Sequence, residues 1–296
     1  MKLAAIDIGS NAVRLQIAGV NEDGGAEPLK RVEFIRIPVR LGDDAFRIQK
    51  ISREKKHLFY KAMRAYKLLI EAFEVDHYMA CATSAMREAQ NAERILKHVY
   101  DEFGLKIEVI NGKRENELIL KSIMNYFDKN KNYLCIDVGG GSTEMTVITN
   151  RVVVNSASFD VGTVRLMDGA VKEKTWQTIE HWVLHKTATH KNLEAVVTSG
   201  TINKIFSIIT GTSGNNVFTR DQLKIFHKKV VKMSYKERIE QLKLNPDRAD
   251  IIEFSADIYL RILNWAGIVK IHSPQNSGLK DGILTELYER HVLNKA

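Results

Sequence analysis

Residues 5–17 read AIDIGSNAVRLQI, and residues 135–147 read CIDVGGGSTEMTV. Each stretch runs through a small residue, Ile, Asp, a β-branched residue and Gly, then a short polar loop and an alternating apolar segment. An apolar strand ending in Asp-x-Gly and followed by a second strand is a β-hairpin with a Gly-rich turn. The same hairpin therefore opens each half of the chain. Glycine permits positive φ and close backbone approach to a ligand. Successive N–H groups in such a turn form an anion-binding concavity. Ser10, Ser142 and Thr143 add hydroxyl donors. Asp7 and Asp137 stand at the strand ends, so their carboxylates share the space in front of the turns. A carboxylate beside bound phosphate calls for a cation, and Mg²⁺ fits best, with Mn²⁺ as the alternative. One Asp-Gly turn alone is most simply a plain hairpin. Two copies with the same Asp, one carrying three consecutive glycines, read instead as a phosphate clamp.

Working outward, Leu29–Val39 reads as a third strand ended by Pro38. Ser52 then caps a helix to about Phe73, with Leu58, Ala62, Ala65, Leu69 and Ala72 on its apolar face. Strands are predicted at 76–83 and 106–110, and helices at 91–103, stopped by Gly104, and at 114–127. The second half repeats the theme, with strands at 132–138, 143–149, 151–159 and 194–199 and helices at 175–189 and 201–210. A helical stretch over 219–242 follows. A long helix runs from Asn245-Pro246 to Trp265, then come a strand at 268–273 and a closing helix over 279–293. The polar run NYFDKNK (125–131) reads as the break between halves. The expected fold is thus α/β, with two related domains, 1–126 and 131–279, and a central cleft. The C-terminal helix, about 280–296, returns to the first domain.

The bulk numbers set bounds only. The chain has 296 residues, 44% hydrophobic and 27% charged, as in an ordinary globular enzyme. Its 44 Lys and Arg against 36 Asp and Glu give a net charge of +8, which attracts polyanions without choosing among them. Cys81 and Cys135 sit in apolar runs and offer neither a disulfide framework nor zinc spacing. The start, MKLAAIDIGS, reaches Asp7 before any signal-like apolar stretch, and no segment approaches the roughly 18 apolar residues of a membrane span. The expectation is a cytoplasmic protein without membrane or specific nucleic-acid partners.

Further stretches carry a family resemblance: ATSAMREAQN (82–91), INGKRENELI (110–119), FDVGTVRL (159–166), TSGT (198–201), RADIIEFSADIYLRIL (248–263) and GLKDGILTEL (278–287). Together with AAIDIGSNAVRL (4–15) and IDVGGGSTE (136–144), they resemble, in order and from end to end, the exopolyphosphatase / guanosine pentaphosphate phosphatase (Ppx/GppA) family. That family has an actin-like, ribonuclease H-like fold. The resemblance implies Mg²⁺-dependent release of terminal phosphate from inorganic polyphosphate or guanosine pentaphosphate, and it makes a homodimer reasonable. It places the general base on Glu115 and the aspartate of the triple-glycine motif on Asp137, with Glu144 closing that motif. Asp137, Glu144 and Asp7 are then the metal candidates. Ser10, Asn11, Arg14, Arg87, Gly139, Gly140, Gly141, Ser142, Thr143, Gly200 and Thr201 are the phosphate-binding candidates. Chemistry asks for the same parts: phosphoryl transfer to water needs a carboxylate to orient the water, a cation, N–H donors and a bidentate arginine.

The chain also departs from the pattern. Arg114-Glu115 stands where the family has two acids, and Arg114 either lowers the Glu115 pKa or points into solvent. Asn111 replaces Ser, Asn116 replaces Ala, Ala256 replaces Gly and Lys280 replaces Arg. Longer members carry further helical domains, and the sequence here ends at Ala296, which favours short phosphate chains or a nucleotide as substrate. Two alternatives stay open: a non-catalytic polyphosphate or alarmone sensor, and a small ATP-dependent kinase of the same superfamily. His181 and His185, with His190 nearby, read as a solvated helix face rather than a metal pair. Lys224, His227, Lys228, Lys229 and Lys232 likewise read as a solvated face, and the alternative for them is a landing strip for a phosphate tail.

Overall fold

The computed structural model describes residues 1–21, 28–211 and 216–293. The chain forms two compact units, Met1–Ser122 with Gly278–Ala296, and Ile123–Ser277. The last three residues of the predicted C-terminal segment, 294–296, lie outside the described residues.

The first unit is built on five strands: β1 (Lys2–Ile8), β2 (Val13–Val20), β3 (Leu29–Ile37), β4 (His77–Ala82) and β5 (Ile107–Val109). Their order is β3-β2-β1-β4-β5, with the first three antiparallel and β1, β4 and β5 parallel. Alternation along β1 divides its side chains between the two faces. Ala4, Ile6 and Ile8 join a core under the helix Arg53–Ala72. Leu3 and Ala5 join a second core with Leu118 and Ile119 of the helix Gly112–Ile123 and with Leu279, Ile283 and Leu287 of the helix Leu279–His291. Asp7 has the parity of Leu3 and Ala5, so it lies on the face that carries Glu115. The two helices on that face touch at Gly282, where a Cβ would fall 1.8 Å from the Leu118 carbonyl oxygen.

The second unit contains β6 (Asn132–Val138), β7 (Thr143–Thr149), β8 (Val152–Phe159), β9 (Glu194–Thr198), β10 (Val217–Thr219) and β11 (Lys270–His272). Their order is β10-β11-β9-β6-β7-β8. Read from β8 to β11, this repeats the first sheet: three antiparallel strands, then two parallel additions. β10 adds an antiparallel edge. The duplication seen in two hairpins thus extends to the whole sheet.

Several elements differ from the sequence reading. The helix Arg53–Ala72 buries Phe59, Ala62, Met63, Tyr66 and Ile70, whereas Leu58 is exposed. The larger side chains at i, i+3, i+4, i+7 and i+11 win the interior, rotating the expected face by one residue. The stretch 219–242 divides into the helices Arg220–Val231 and Tyr235–Leu242, because Ser234 and Glu237 form a capping box that starts the second helix. The expected helix over 246–265 is two, Pro246–Ala249 and Ile252–Trp265. The helix expected over 114–127 ends at Ile123 and continues as a 3₁₀ turn over Met124–Tyr126. Three short helices were not expected: Leu41–Ile48, Ser84–Glu88 and Thr163–Met167. Cys81 and Cys135 are free and buried, and burial pushes the Cys81 thiol up to about 12, as for an inert filler.

Candidate active site

In the second unit the turn after Asp137 is closed by the Gly139 N–H donating to the Ser142 carbonyl at 2.9 Å. The remaining carbonyls point inward. Gly139 O accepts from Thr163 N, and Gly140 O accepts from Val164 N at 2.9 Å and Arg165 N at 3.2 Å. Gly141 O accepts from Arg165 Nε at 2.9 Å. The orphan amides at the start of the helix Thr163–Met167 are thereby satisfied, and so are the carbonyls of the glycine run. Gly162 sits flat on this run: a Cβ there would lie 2.4 Å from Gly140 C and Gly141 N. Only glycine fits. With the carbonyls drawn back, the turn is a framework for presenting amides to an anion.

The first turn has the same frame. Gly9 N–H donates to the Ala12 carbonyl at 3.1 Å, Ser10 O accepts from Gly42 N at 2.8 Å, and Asn11 O accepts from Arg40 N at 3.0 Å. The donors again come from a short helix after the third strand, here Leu41–Ile48.

The side chains around the two aspartates differ. Across the β1–β2 ladder Asp7 faces Arg14, whose Nη1 donates to Asp7 Oδ2 at 2.6 Å. Across the β6–β7 ladder Asp137 faces Glu144. Ser158 Oγ donates to Glu144 Oε1 at 2.9 Å, and Thr198 Oγ1 donates to Asp137 Oδ1. Like charges directly opposite on a ladder destabilise it, and a bound cation relieves the conflict. Among the described residues no cluster of three or more His, Cys, Asp or Glu is gathered for a metal. Mg²⁺ does not require one: it takes one or two carboxylates and completes its shell with waters and substrate phosphate. The all-oxygen pair Asp137 and Glu144 fits that demand. Asp7 is already engaged by a guanidinium.

Glu115 lies near the start of the helix Gly112–Ile123 and is 7% exposed. Asn111 Oδ1 accepts from Arg114 N at 2.9 Å, an N-cap that Asn serves as well as Ser. Arg87 Nη1 donates to the Ile110 carbonyl at 2.8 Å, bracing the approach to the same helix. Arg114, the neighbour of Glu115, reaches across to another helix. Its guanidinium pairs with Glu286 on the helix Leu279–His291 and lies 3.7 Å from Glu117. Lys121 and Arg290 also meet Glu286, and Lys121 meets Glu289. Although burial pushes the Glu286 carboxyl up, hydrogen bonding and charge from Arg114, with Arg290 and Lys121, hold it below the ordinary glutamate value.

The TSGT stretch joins β9 to the helix Gly200–Thr210. Ser199 caps that helix, its Oγ accepting from Ile202 N at 3.4 Å. Its φ of 126° and ψ of 157° lie in a region that side chains other than glycine rarely enter. A Cβ on Gly200 would stand 3.3 Å from Arg248 Nη2.

The candidates therefore divide by what they touch. Gly140 and Gly141 occupy the presented part of the second turn, whereas the Gly139 N–H closes the hairpin. Ser142 is buried in that turn. The Thr143 hydroxyl is buried and donates to the Val161 carbonyl at 2.6 Å. Ser10 Oγ is buried against Ser84 Oγ at 2.9 Å, and Asn11 is buried. Gly200 and Thr201 begin the helix behind Ser199. Thr198, Gly162, Arg165, Ser84 and Arg248 join the list although sequence reasoning assigned them no role. All but Gly162 carry side chains whose use depends on contacts distant in sequence. FDVGTVRL was visible as a stretch without a chemistry attached, whereas TSGT carried one only at Gly200 and Thr201. The lysines 224, 228, 229 and 232 are exposed, and His181 and His185 stack on each other on an exposed helix face.

Duplicated sheets, each opening on an Asp-Gly hairpin whose turn is backed by a short helix, define the class of two-domain actin-like proteins. The chain belongs to the Ppx/GppA phosphatase family, whose model matches residues 20–291. It is 27% identical to the bifunctional 3-dehydroquinate synthase/phosphatase of Fusobacterium nucleatum subsp. nucleatum, over 95% of this chain and 46% of that protein. It is 21% identical to the guanosine-5'-triphosphate,3'-diphosphate pyrophosphatase of Photobacterium profundum, over 97% of this chain and 59% of that protein. The chain thus spans about half the length of these curated relatives. The crystal structure of an exopolyphosphatase from Cytophaga hutchinsonii matches with a TM-score of 0.85 and 20% identity, covering 98% of both chains. Among the described residues no helix is long and apolar enough to cross a membrane.

Proposed function

We propose that this chain is a cytoplasmic phosphohydrolase that releases the terminal phosphate of inorganic polyphosphate, with short chains as the first candidates, or of guanosine pentaphosphate. The observation that carries the reading is the turn at Gly139–Ser142, with its carbonyls drawn back by the helix Thr163–Met167 and two carboxylates, Asp137 and Glu144, beside it. Membership of a phosphatase family supports the reaction class.

Each part has a physical task. Gly140 and Gly141 offer amides to phosphate oxygens where negative charge accumulates in the transition state. Arg14, paired with Asp7, is the guanidinium assigned to the phosphate. Glu115 accepts a hydrogen bond from the attacking water and aligns its lone pair with phosphorus. Asp137 and Glu144 would hold Mg²⁺, which when bound neutralises phosphate charge. Arg87 keeps the start of the Glu115 helix in place through the Ile110 carbonyl. No observation favours the sensor reading, because Arg114 is taken up by Glu286.

The test is phosphate release from short-chain polyphosphate, long-chain polyphosphate and guanosine pentaphosphate with Mg²⁺, for wild type and Glu115→Gln. Turnover of one substrate, reduced about 10²–10⁴-fold in the variant, is the expected result. Binding without turnover by wild type would replace this reading with a sensor.

A further inference from the structure

The hydroxyl of Tyr259 sits in the fully buried part of the helix Ile252–Trp265 and makes three contacts beneath the Asp137 turn. It accepts from Val138 N at 3.2 Å and donates to the Thr198 carbonyl at 2.5 Å. It also lies 3.5 Å from Ser199 Oγ. One donated and two accepted bonds use the full capacity of a protonated phenol. Burial first, then the charge of Asp137, hold the Tyr259 phenol protonated well above its ordinary range.

These three contacts surround the strained residue. Ser199 at φ 126° belongs to a backbone region that is unfavourable for a residue with a side chain and persists only where surroundings over-determine it. The residue before it, Thr198, donates its hydroxyl to Asp137. The residue before the turn, Val138, follows Asp137 directly. One phenol therefore joins both strand ends that hold the carboxylate. Resting on the role proposed above for Asp137, we propose that Tyr259 is a positioning residue for phosphate release: its hydroxyl holds Ser199 in the strained conformation that keeps Thr198 on Asp137.

The experiment measures phosphate release with Mg²⁺ on short-chain polyphosphate, or on guanosine pentaphosphate if that is the substrate turned over. Tyr259→Phe removes only the hydroxyl. Its kcat should fall about 10–100-fold, as when an outer-sphere partner of a metal ligand is removed, with a raised Mg²⁺ requirement and a little-changed KM. Ser199→Gly removes the conformational penalty, so in that background Tyr259→Phe should cost less than about threefold. A hydroxyl that merely stabilised the fold would not show this rescue. If Tyr259→Phe matches wild type within about twofold in kcat and Mg²⁺ requirement, or if its loss is undiminished beside Ser199→Gly, the inference is overturned. Should Tyr259→Phe not fold, Thr198→Val tests the same link, and unchanged kcat and Mg²⁺ requirement would overturn it too. Asp137→Asn separates the two failures. If it abolishes turnover while Tyr259→Phe does not slow it, only the inference falls. If Asp137→Asn turns over like wild type, the underlying reading falls and takes the inference with it.

Discussion

Opposite Asp7 the first hairpin places Arg14, and opposite Asp137 the second places Glu144. The backbone around both pairs is nearly superposable in its bonding. Gly9 and Gly139 close the turns, Ser10 and Gly140 accept from a helix amide, and Asn11 and Gly141 accept a further N–H. The parallel neighbour also differs, Cys81 beside Asp7 and Thr198 beside Asp137. Duplication has kept the frame that aims amides outward while charge has diverged at one cross-strand position. A carboxylate paired with a guanidinium at 2.6 Å makes a nearly neutral unit. Two facing carboxylates attract a cation. The comparison teaches that the two turns share one backbone frame, while the residue opposite the aspartate sets the charge beside it.

The largest expected effect attacks the shared frame. Gly162→Ala must push a Cβ into the Gly140–Gly141 peptide, so phosphate release should fall more than about 100-fold, since a displacement of about 1 Å can cost that much. A variant with full activity would show that the frame does not matter. Next comes the charge at the divergent position. Glu144→Gln should raise the Mg²⁺ concentration for half-activation about tenfold or more, or about 1.4 kcal/mol of lost cation binding. Arg14→Gln should leave that concentration unchanged and lower kcat/KM about tenfold, seen in a Mg²⁺ titration at fixed substrate. If both variants shift the Mg²⁺ curve alike, the division of labour is wrong.

A smaller effect follows from Ser84, whose hydroxyl meets Ser10 where the second turn has a glycine without a side chain. Ser84→Ala leaves the Ser10 hydroxyl with one partner fewer and should cost about 1 kcal/mol, read from chemical denaturation. The smallest concerns pH. The helix behind the second turn presents the neutral Tyr259, whereas the helix packed on β1 is tied by Glu286 to Arg114, Lys121 and Arg290. Because the folded-state pKa of Glu286 is lowered, its contribution is present above the ordinary value of 4.5 and is lost as pH falls through the folded value. Glu286→Gln should therefore be less stable than wild type at neutral pH, and the gap should narrow in acid unfolding curves below about pH 4.5.

Much of this arrangement was legible because the hairpin signal is local: Asp, Gly and alternation lie within thirteen residues of each other. Strand positions followed for the same reason. The short helices were hidden because their ends lack ordinary signals. Leu41–Ile48 begins and ends on positive-φ residues, Arg40 and Gln49, without a side-chain cap. Thr163–Met167 spans only five residues and is held by bonds to the glycine turn rather than by propensity. The Arg114 pairing was not legible because its partner, Glu286, is 172 positions away. Ser199 gave no warning, since strain arises from surroundings and not from the residue itself. The capping box at Ser234 and Glu237 was readable in principle, as S-x-x-E, and was overlooked within a longer helical pattern.

The dependence of each glycine turn on a short helix later in the chain has a bearing on protein engineering. A nine-residue transplant of IDVGGGSTE into another hairpin would carry the letters of the motif without the donors that hold its carbonyls back. The smallest portable module runs from β6 through the helix ending at Met167, and in the first unit from β1 through the helix ending at Ile48. Recombination that cuts inside either span would separate the glycine turn from the helix that holds its carbonyls.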